Sequence, residues 1–138
     1  MATSKQQLTG RIIRRGNAQG IALTSAEPIG FLGGVDGETG VVTEKGHPLE
    51  GLCIAGKILV FPAGKGSTVG SYVLYQLAAN KRAPAAILNA ESEPIVAVGA
   101  IIADIPMLDH LPITEIHTGD YVYVDGEHVS ISALPPDS

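Results

Sequence analysis

"IAGKILVFPAGKGSTVGSYVLYQL", residues 54–77, decides the fold. Its opening, "IAGKILVF" at 54–61, is an apolar run of the type expected for a strand covered on both faces. From residue 67 the period changes: Val69, Tyr72, Val73 and Leu77 recur at helical spacing, with Ser67 or Thr68 available as N-cap and Asn80 near the end. The stretch therefore predicts a strand, a glycine-rich turn and a helix over 68–79.

Downstream, "PAAILNA" at 84–90 returns to strand character, and "EPIVAVGAIIADIP" at 93–106 is apolar nearly all round. Its Ser92-Glu93-Pro94 start and its stop before Pro106 predict a short buried helix. "PMLDH" follows as a further strand. Successive βαβ units of this kind require parallel pairing and right-handed crossovers. Upstream, "LTGRIIRR" at 8–15 and "GIALT" at 20–24 predict short strands separated by the turn-forming cluster "GNAQ". The chain closes differently, because "DYVYVDGEHVSIS" at 120–132 places Asp125-Gly126 between two alternating runs, the signal of a hairpin with a primed turn. Tyr121 and Tyr123 share one face of it, Val122 and Val124 the other. The expectation is a single domain over residues 1–138, mixed α/β in three layers, with frayed ends at 1–7 and 134–138.

A chain of 138 residues with a 45% hydrophobic share and no tryptophan can build its core from Ile, Val, Leu and Ala. Its net charge of -5 argues against a nucleic-acid or anionic-membrane partner held by a broad basic field. No apolar run reaches the roughly 20 residues needed to span a bilayer, so the default compartment is the cytoplasm. Cys53 is the only cysteine; it excludes an internal disulfide and cannot by itself supply the ligands of a zinc site or an iron-sulfur cluster. Beside an apolar run, it reads as a buried, inert thiol. His47, His110, His117 and His128 lie in separate turns and strands without metal-ligand spacing, and no metal site is expected on this chain.

Two glycine-rich segments carry the functional question. In "PAGKGST", a loop feeding a helix N-terminus exposes backbone N–H groups to an anion, and Lys65 adds a full positive charge. It is not a P-loop: Gly66 separates Lys65 from Ser67, and Leu59 stands where the first glycine of that motif would be. Two readings of Ser67 are open. It is either an N-cap in a tight turn or, if amides and a cation lower the cost of its alkoxide, a proton acceptor. In "GFLGGVDGETG", Gly33 and Gly34 allow positive φ and close backbone approach, while Asp36 is either an orienting carboxylate or a turn residue bonding its own backbone.

"FLGGVDGETG" at 31–40, "GKILVFPAGKGSTVGSYVLYQL" at 56–77 and "EPIVAVGAIIADIP" at 93–106 together resemble the small, swivel-domain subunit of the aconitase X family. The likeness runs from about Gly10 to Val124. It implies a swivelling β/β/α domain that pairs, as a heterodimer, with a large subunit carrying a [4Fe-4S] cluster whose iron acts as a Lewis acid. It also implies that Ser67 is the proton acceptor, with Lys65, Gly66, Thr68, Gly33 and Gly34 around a small-molecule substrate. One branch of the family dehydrates (R)-5-phosphomevalonate to trans-anhydromevalonate 5-phosphate in an isoprenoid pathway. The other dehydrates cis-3-hydroxy-L-proline and tends to carry a "GRGSSS"-like loop and a tryptophan near "GGVD". "GKGSTVGSY" and Phe31-Leu32 resemble the first branch. The rival of another class is a non-catalytic, anion-binding regulatory module, which would be a solitary monomer with no large companion.

Overall fold

The computed structural model describes residues 5–65 and 70–132. Eight strands hydrogen-bond in the order β1-β8-β7-β3-β4-β5-β6-β2. The strands are β1 (Lys5–Thr9), β2 (Arg11–Arg14), β3 (Asn17–Thr24), β4 (Ile58–Phe61), β5 (Ala86–Asn89), β6 (Met107–Asp109), β7 (Tyr121–Asp125) and β8 (His128–Ser132). Two helices, α1 (Gly70–Ala79) and α2 (Pro94–Ile102), cross from β4 to β5 and from β5 to β6.

The expected parallel sheet is present: β3-β4, β4-β5 and β5-β6 all run parallel. Its strands alternate between two cores. Leu59, Phe61, Ile87 and Met107 face α1 and α2. Ile58, Val60, Ala86, Leu88 and Leu108 face Val122, Val124, Val129 and Ile131 of the hairpin. The sheet folds over at β3, whose residues 17–21 pair antiparallel with β7 and whose residues 22–24 pair parallel with β4. The result is the three-layer β/β/α sandwich expected from the sequence, with the hairpin as one outer layer and the helices as the other.

Several boundaries differ from expectation. The predicted strand over 8–15 is two strands at opposite ends of the sheet, β1 beside β8 and β2 beside β6. The chain changes edges at Gly10, where a Cβ would lie 2.8 Å from the Asp109 carbonyl and 2.9 Å from Leu111 Cδ2. Residues 5–7 belong to β1, where Gln6 and Gln7 pair with Ile131 and Ser130. Residues 1–4 and 133–138 lie outside the described set. "GNAQ" is not a turn beyond Gly16: Asn17 and Ala18 extend β3 against Asp125 and Val124, because an available partner strand outweighs local turn preference. The hairpin loop is Gly126-Glu127, one residue later than expected, with Asp125 paired to His128 and Gly126 at φ 59°.

The first helix buries Gly70, Val73, Leu74 and Leu77, so Leu74 joins the stripe while Tyr72 points outward. Val69 and the predicted N-caps Ser67 and Thr68 fall outside the described residues. The second helix starts as expected, with Pro94 at N1 and the Glu93 carboxylate accepting from the Ile95 and Val96 amides. It is shorter than expected and closes with Asp104 at φ 59° and Ile105 N donating to Ala100 O. It is also not buried all round: Val96, Gly99 and Ala100 are covered, whereas Val98, Ile101 and Ile102 are exposed. Among the described residues no helix is long and apolar enough to cross a membrane.

One ion pair locks the closing edge. The Asp109 side chain is fully buried, while Arg11 is half-exposed. Asp109 receives Arg11 Nε at 2.9 Å and Nη2 at 2.7 Å, and the Ser92 amide at 2.9 Å. Burial pushes this carboxyl up, but the hydrogen bonds from Arg11 and Ser92, with the Arg11 charge, outweigh it and hold it well below the usual carboxylate range. The pair therefore contributes stability that is present above the unfolded carboxyl value of about 4 and is lost as pH falls below it. Arg11→Met leaves only the Ser92 hydrogen bonds to oppose burial, so the variant should be less stable than wild type at pH 7, with the difference shrinking at pH 3; urea midpoints at the two pH values check this. A second test sits where the helices cross. A Cβ on Gly99 would lie 2.7 Å from Leu74 Cδ1 and 3.0 Å from Ser71 Cα. Gly99→Ala should lower unfolding free energy by about 1–3 kcal/mol in denaturant titration, against the gain that alanine brings to a free helix.

Candidate functional site

The loops that follow β3 and β4 leave the sheet together. Ile29 N donates to Ala63 O at 3.3 Å and Lys65 N donates to Ile29 O at 3.0 Å, a parallel bridge between Ile29 and Gly64. Backbone pairing thus continues beyond the carboxyl ends of two parallel strands, the end at which open α/β sheets build their sites. Gly64 is required there, because a Cβ would sit 2.3 Å from Val96 Cγ2 of α2.

The two glycines of the first loop do different work. Gly33 has φ 78° with open space around it. Gly34 has no room for a side chain, since a Cβ would lie 2.0 Å from Gly30 O. Thr43 fastens this loop from the far side, its amide donating to Gly34 O at 2.9 Å and its hydroxyl to Gly33 O at 3.3 Å. Below it, buried Phe31 meets buried Phe61 edge to face, with ring centroids 6.1 Å apart. Asp36 takes the turn role, its Oδ1 accepting from the Glu38 amide at 2.9 Å.

Gly30, Leu32, Gly33, Gly34, Glu44 and Lys65 line one open cleft of about 320 Å³. Three residues singled out from the sequence, Lys65, Gly33 and Gly34, therefore share a cavity. Lys65 Nζ lies 3.0 Å from Glu44 Oε2 across it. Glu44 stands 21 positions from its partner, and no spacing in the sequence pointed to it; the available signal was a lysine in a loop without a nearby acid. His47 lies in the turn that follows Glu44, its amide donating to Glu44 O at 3.2 Å. It is buried in that turn, with Nδ1 accepting from Leu49 N and Nε2 3.1 Å from Pro28 O. These contacts are satisfied together when the proton is on Nε2.

Gly66, Ser67 and Thr68 lie outside the described residues. The chain enters that segment at Lys65, in the cleft, and re-emerges at Gly70, where a Cβ would be 3.9 Å from both Leu32 N and Phe31 Cβ. Both flanks rest on the glycine loop. Asn89, at the carboxyl end of β5, is a further polar group that the sequence reading missed. Fully buried, it donates from Nδ2 to Phe61 O at 2.9 Å, and its Oδ1 has no hydrogen-bond partner among the described residues.

Cys53 is half-buried rather than buried, and its thiol lies 3.4 Å from Thr39 O. Among the described residues, Glu91, Asp109 and His110 bring three metal-ligating groups together. That group already holds a cation, the Arg11 guanidinium on both Asp109 oxygens.

The family model for the aconitase X swivel domain matches residues 7–133. This chain belongs to that family. A crystal structure of Thermococcus kodakaraensis aconitase X in its holo form superposes with a TM-score of 0.90 at 53% identity, covering 91% of this chain and 98% of that one. A solution structure of a UPF0107 protein is similar at TM-score 0.81 and 48% identity, over 90% of this chain and 97% of that one. Relatives named phosphomevalonate dehydratase small subunit include those of Methanosarcina acetivorans, 55% identical over 94% of this chain and 92% of theirs, and Thermococcus kodakarensis, 52% identical over 93% and 96%. The aconitase X swivel fold expected from the three motifs is the fold observed.

The unequal roles of the paired glycines give an ordered outcome. Gly33→Ala meets only backbone strain of about 1–2 kcal/mol. Gly34→Ala must also displace the Gly30 carbonyl, so it should cost more stability in urea and shift the amide resonances of Gly30, Lys65 and Glu44, which Gly33→Ala should leave nearer their places.

Proposed function

We propose that this chain is the small subunit of a phosphomevalonate dehydratase, a hydro-lyase that converts (R)-5-phosphomevalonate to trans-anhydromevalonate 5-phosphate and works only with its large subunit, in the cytoplasm. The observation that carries the reading is likeness along nearly the whole chain to relatives of that name, 55% identical in Methanosarcina acetivorans. The cleft is consistent with it. An entering phosphate or carboxylate would compete with Glu44 for Lys65, whose ammonium lies 3.0 Å from that carboxylate. Half-exposed Leu32 and the tight Gly33-Gly34 turn form the other lip.

In this reading Ser67 is the proton acceptor. The proton on the carbon next to the hydroxyl-bearing one passes to Ser67 Oγ, the C–H electron pair becomes the second bond of the alkene, and hydroxide leaves. A serine does this only as the alkoxide, so nearby positive charge must offset the cost of its formation. Lys65 lies two residues away, and the amides of Gly66 and Thr68 flank Ser67 in sequence. Gly33 and Gly34 shape the loop over the substrate. The [4Fe-4S] cluster that the family implies is assigned to the large subunit, because one half-buried cysteine is the whole thiol complement here.

Ser67→Ala, assembled with the large subunit, should lower turnover of phosphomevalonate by about a hundred- to ten-thousand-fold, the range for loss of a positioned base. Co-elution of the two chains should be unchanged. Near-normal turnover would remove Ser67 from the chemistry.

A further inference from the structure

We propose that the outer face of α1 and α2 is the seat of the large subunit; this rests on the dehydratase reading. Neither the 10 residues of α1 nor the 9 of α2 include a charged side chain; the one charge at these helix ends among the described residues of the caps is the Glu93 carboxylate at the start of α2. A helix apolar all round is a buried helix. Yet Tyr72 is 64% exposed and Ile102 56%, and Tyr75, Val98 and Ile101 are all about half exposed. Three of them are contiguous: Tyr72 and Tyr75 stack obliquely with centroids 6.4 Å apart, and both line a concavity of about 320 Å³ together with Ser71 and Ile102. Aromatic and aliphatic side chains without charge are the composition of the core of a lasting protein interface.

The position of this face selects its occupant. It begins where α1 starts, at Gly70, against Leu32, and Leu32 lines the substrate cleft. In that reading the cleft needs a second chain, because a single cysteine cannot by itself supply the ligands of a cluster. A polypeptide that completes the cleft past Leu32 continues directly onto Tyr72 and across to Ile102. A second copy of this chain would cover the helices but would bring no cluster ligands, since it too carries a single cysteine. The hairpin layer on the opposite side offers no comparable stretch; its exposed Tyr123 alternates with buried Val122 and Val124.

The test uses the full chain and its large subunit, with Tyr75→Asp and Ile102→Asp as probes and Tyr123→Asp as a control on the hairpin layer. All three positions are exposed, so folding is checked by circular dichroism and thermal midpoint. The wild-type chain and the Tyr123 variant should bind the large subunit equally, and each helix-face variant should bind on the order of 30-fold more weakly, as for loss of a central interface side chain. Wild-type affinity in both folded helix-face variants would overturn the assignment while leaving the dehydratase reading in place. Failure of the wild-type chain to bind the large subunit would overturn both. A helix-face variant that only converts a self-associated form of the isolated chain to monomer, with large-subunit binding intact, would assign the face to a second copy and overturn the proposal.

Discussion

Backbone pairing that runs past the ends of β3 and β4 is the constraint on which the cleft of this molecule depends. Ile29 and Gly64 continue the parallel ladder for one bridge after the strands proper have ended. That bridge brings Lys65 alongside Gly30 and the Gly33-Gly34 turn. It persists because both strands are anchored in a sheet covered on two faces, with β4 fully buried between helix and hairpin layers. Small residues keep the approach close: Gly64 makes room for Val96, and Gly34 makes room for the Gly30 carbonyl. The fold therefore fixes the cleft through main-chain geometry, and side chains only decorate it.

The electrostatic design of the cleft follows from that rigidity. Lys65 is not a loose cation; it is ion-paired with Glu44, whose carbonyl accepts from the His47 amide. The Lys65–Glu44 pair leaves no uncompensated charge on either group in the cleft, and in the proposed function an entering anion would take the place of the Glu44 carboxylate. The same economy appears at the closing edge, where buried Asp109 and Arg11 neutralise each other at the end of β6.

How much of this was legible in sequence follows from the range of each interaction. The β4-α1-β5-α2-β6 order and the final hairpin show as changes of hydrophobic period, which are local, and the structure reproduces them. The separation of β1 from β2 does not show, because one glycine redirects the chain to the opposite sheet edge and its necessity lies in contacts with Asp109 and Leu111. Lys65, Gly33 and Gly34 were visible as glycine-loop chemistry. Glu44, His47 and Asn89 were not, since each acts through a partner distant in sequence. The composition of α2 was read as burial, and periodicity cannot tell whether an apolar residue is covered by its own chain; Val98, Ile101 and Ile102 are not.

As proposed above, this swivel domain completes a dehydratase acting on a phosphorylated hydroxy acid. Reconstituting the chain with its large subunit and assaying phosphomevalonate and cis-3-hydroxy-L-proline side by side tests it most directly. The account predicts loss of water from phosphomevalonate by the pair and none by either chain alone. Turnover of hydroxyproline only, or an anion-binding chain that functions without any large companion, would contradict it.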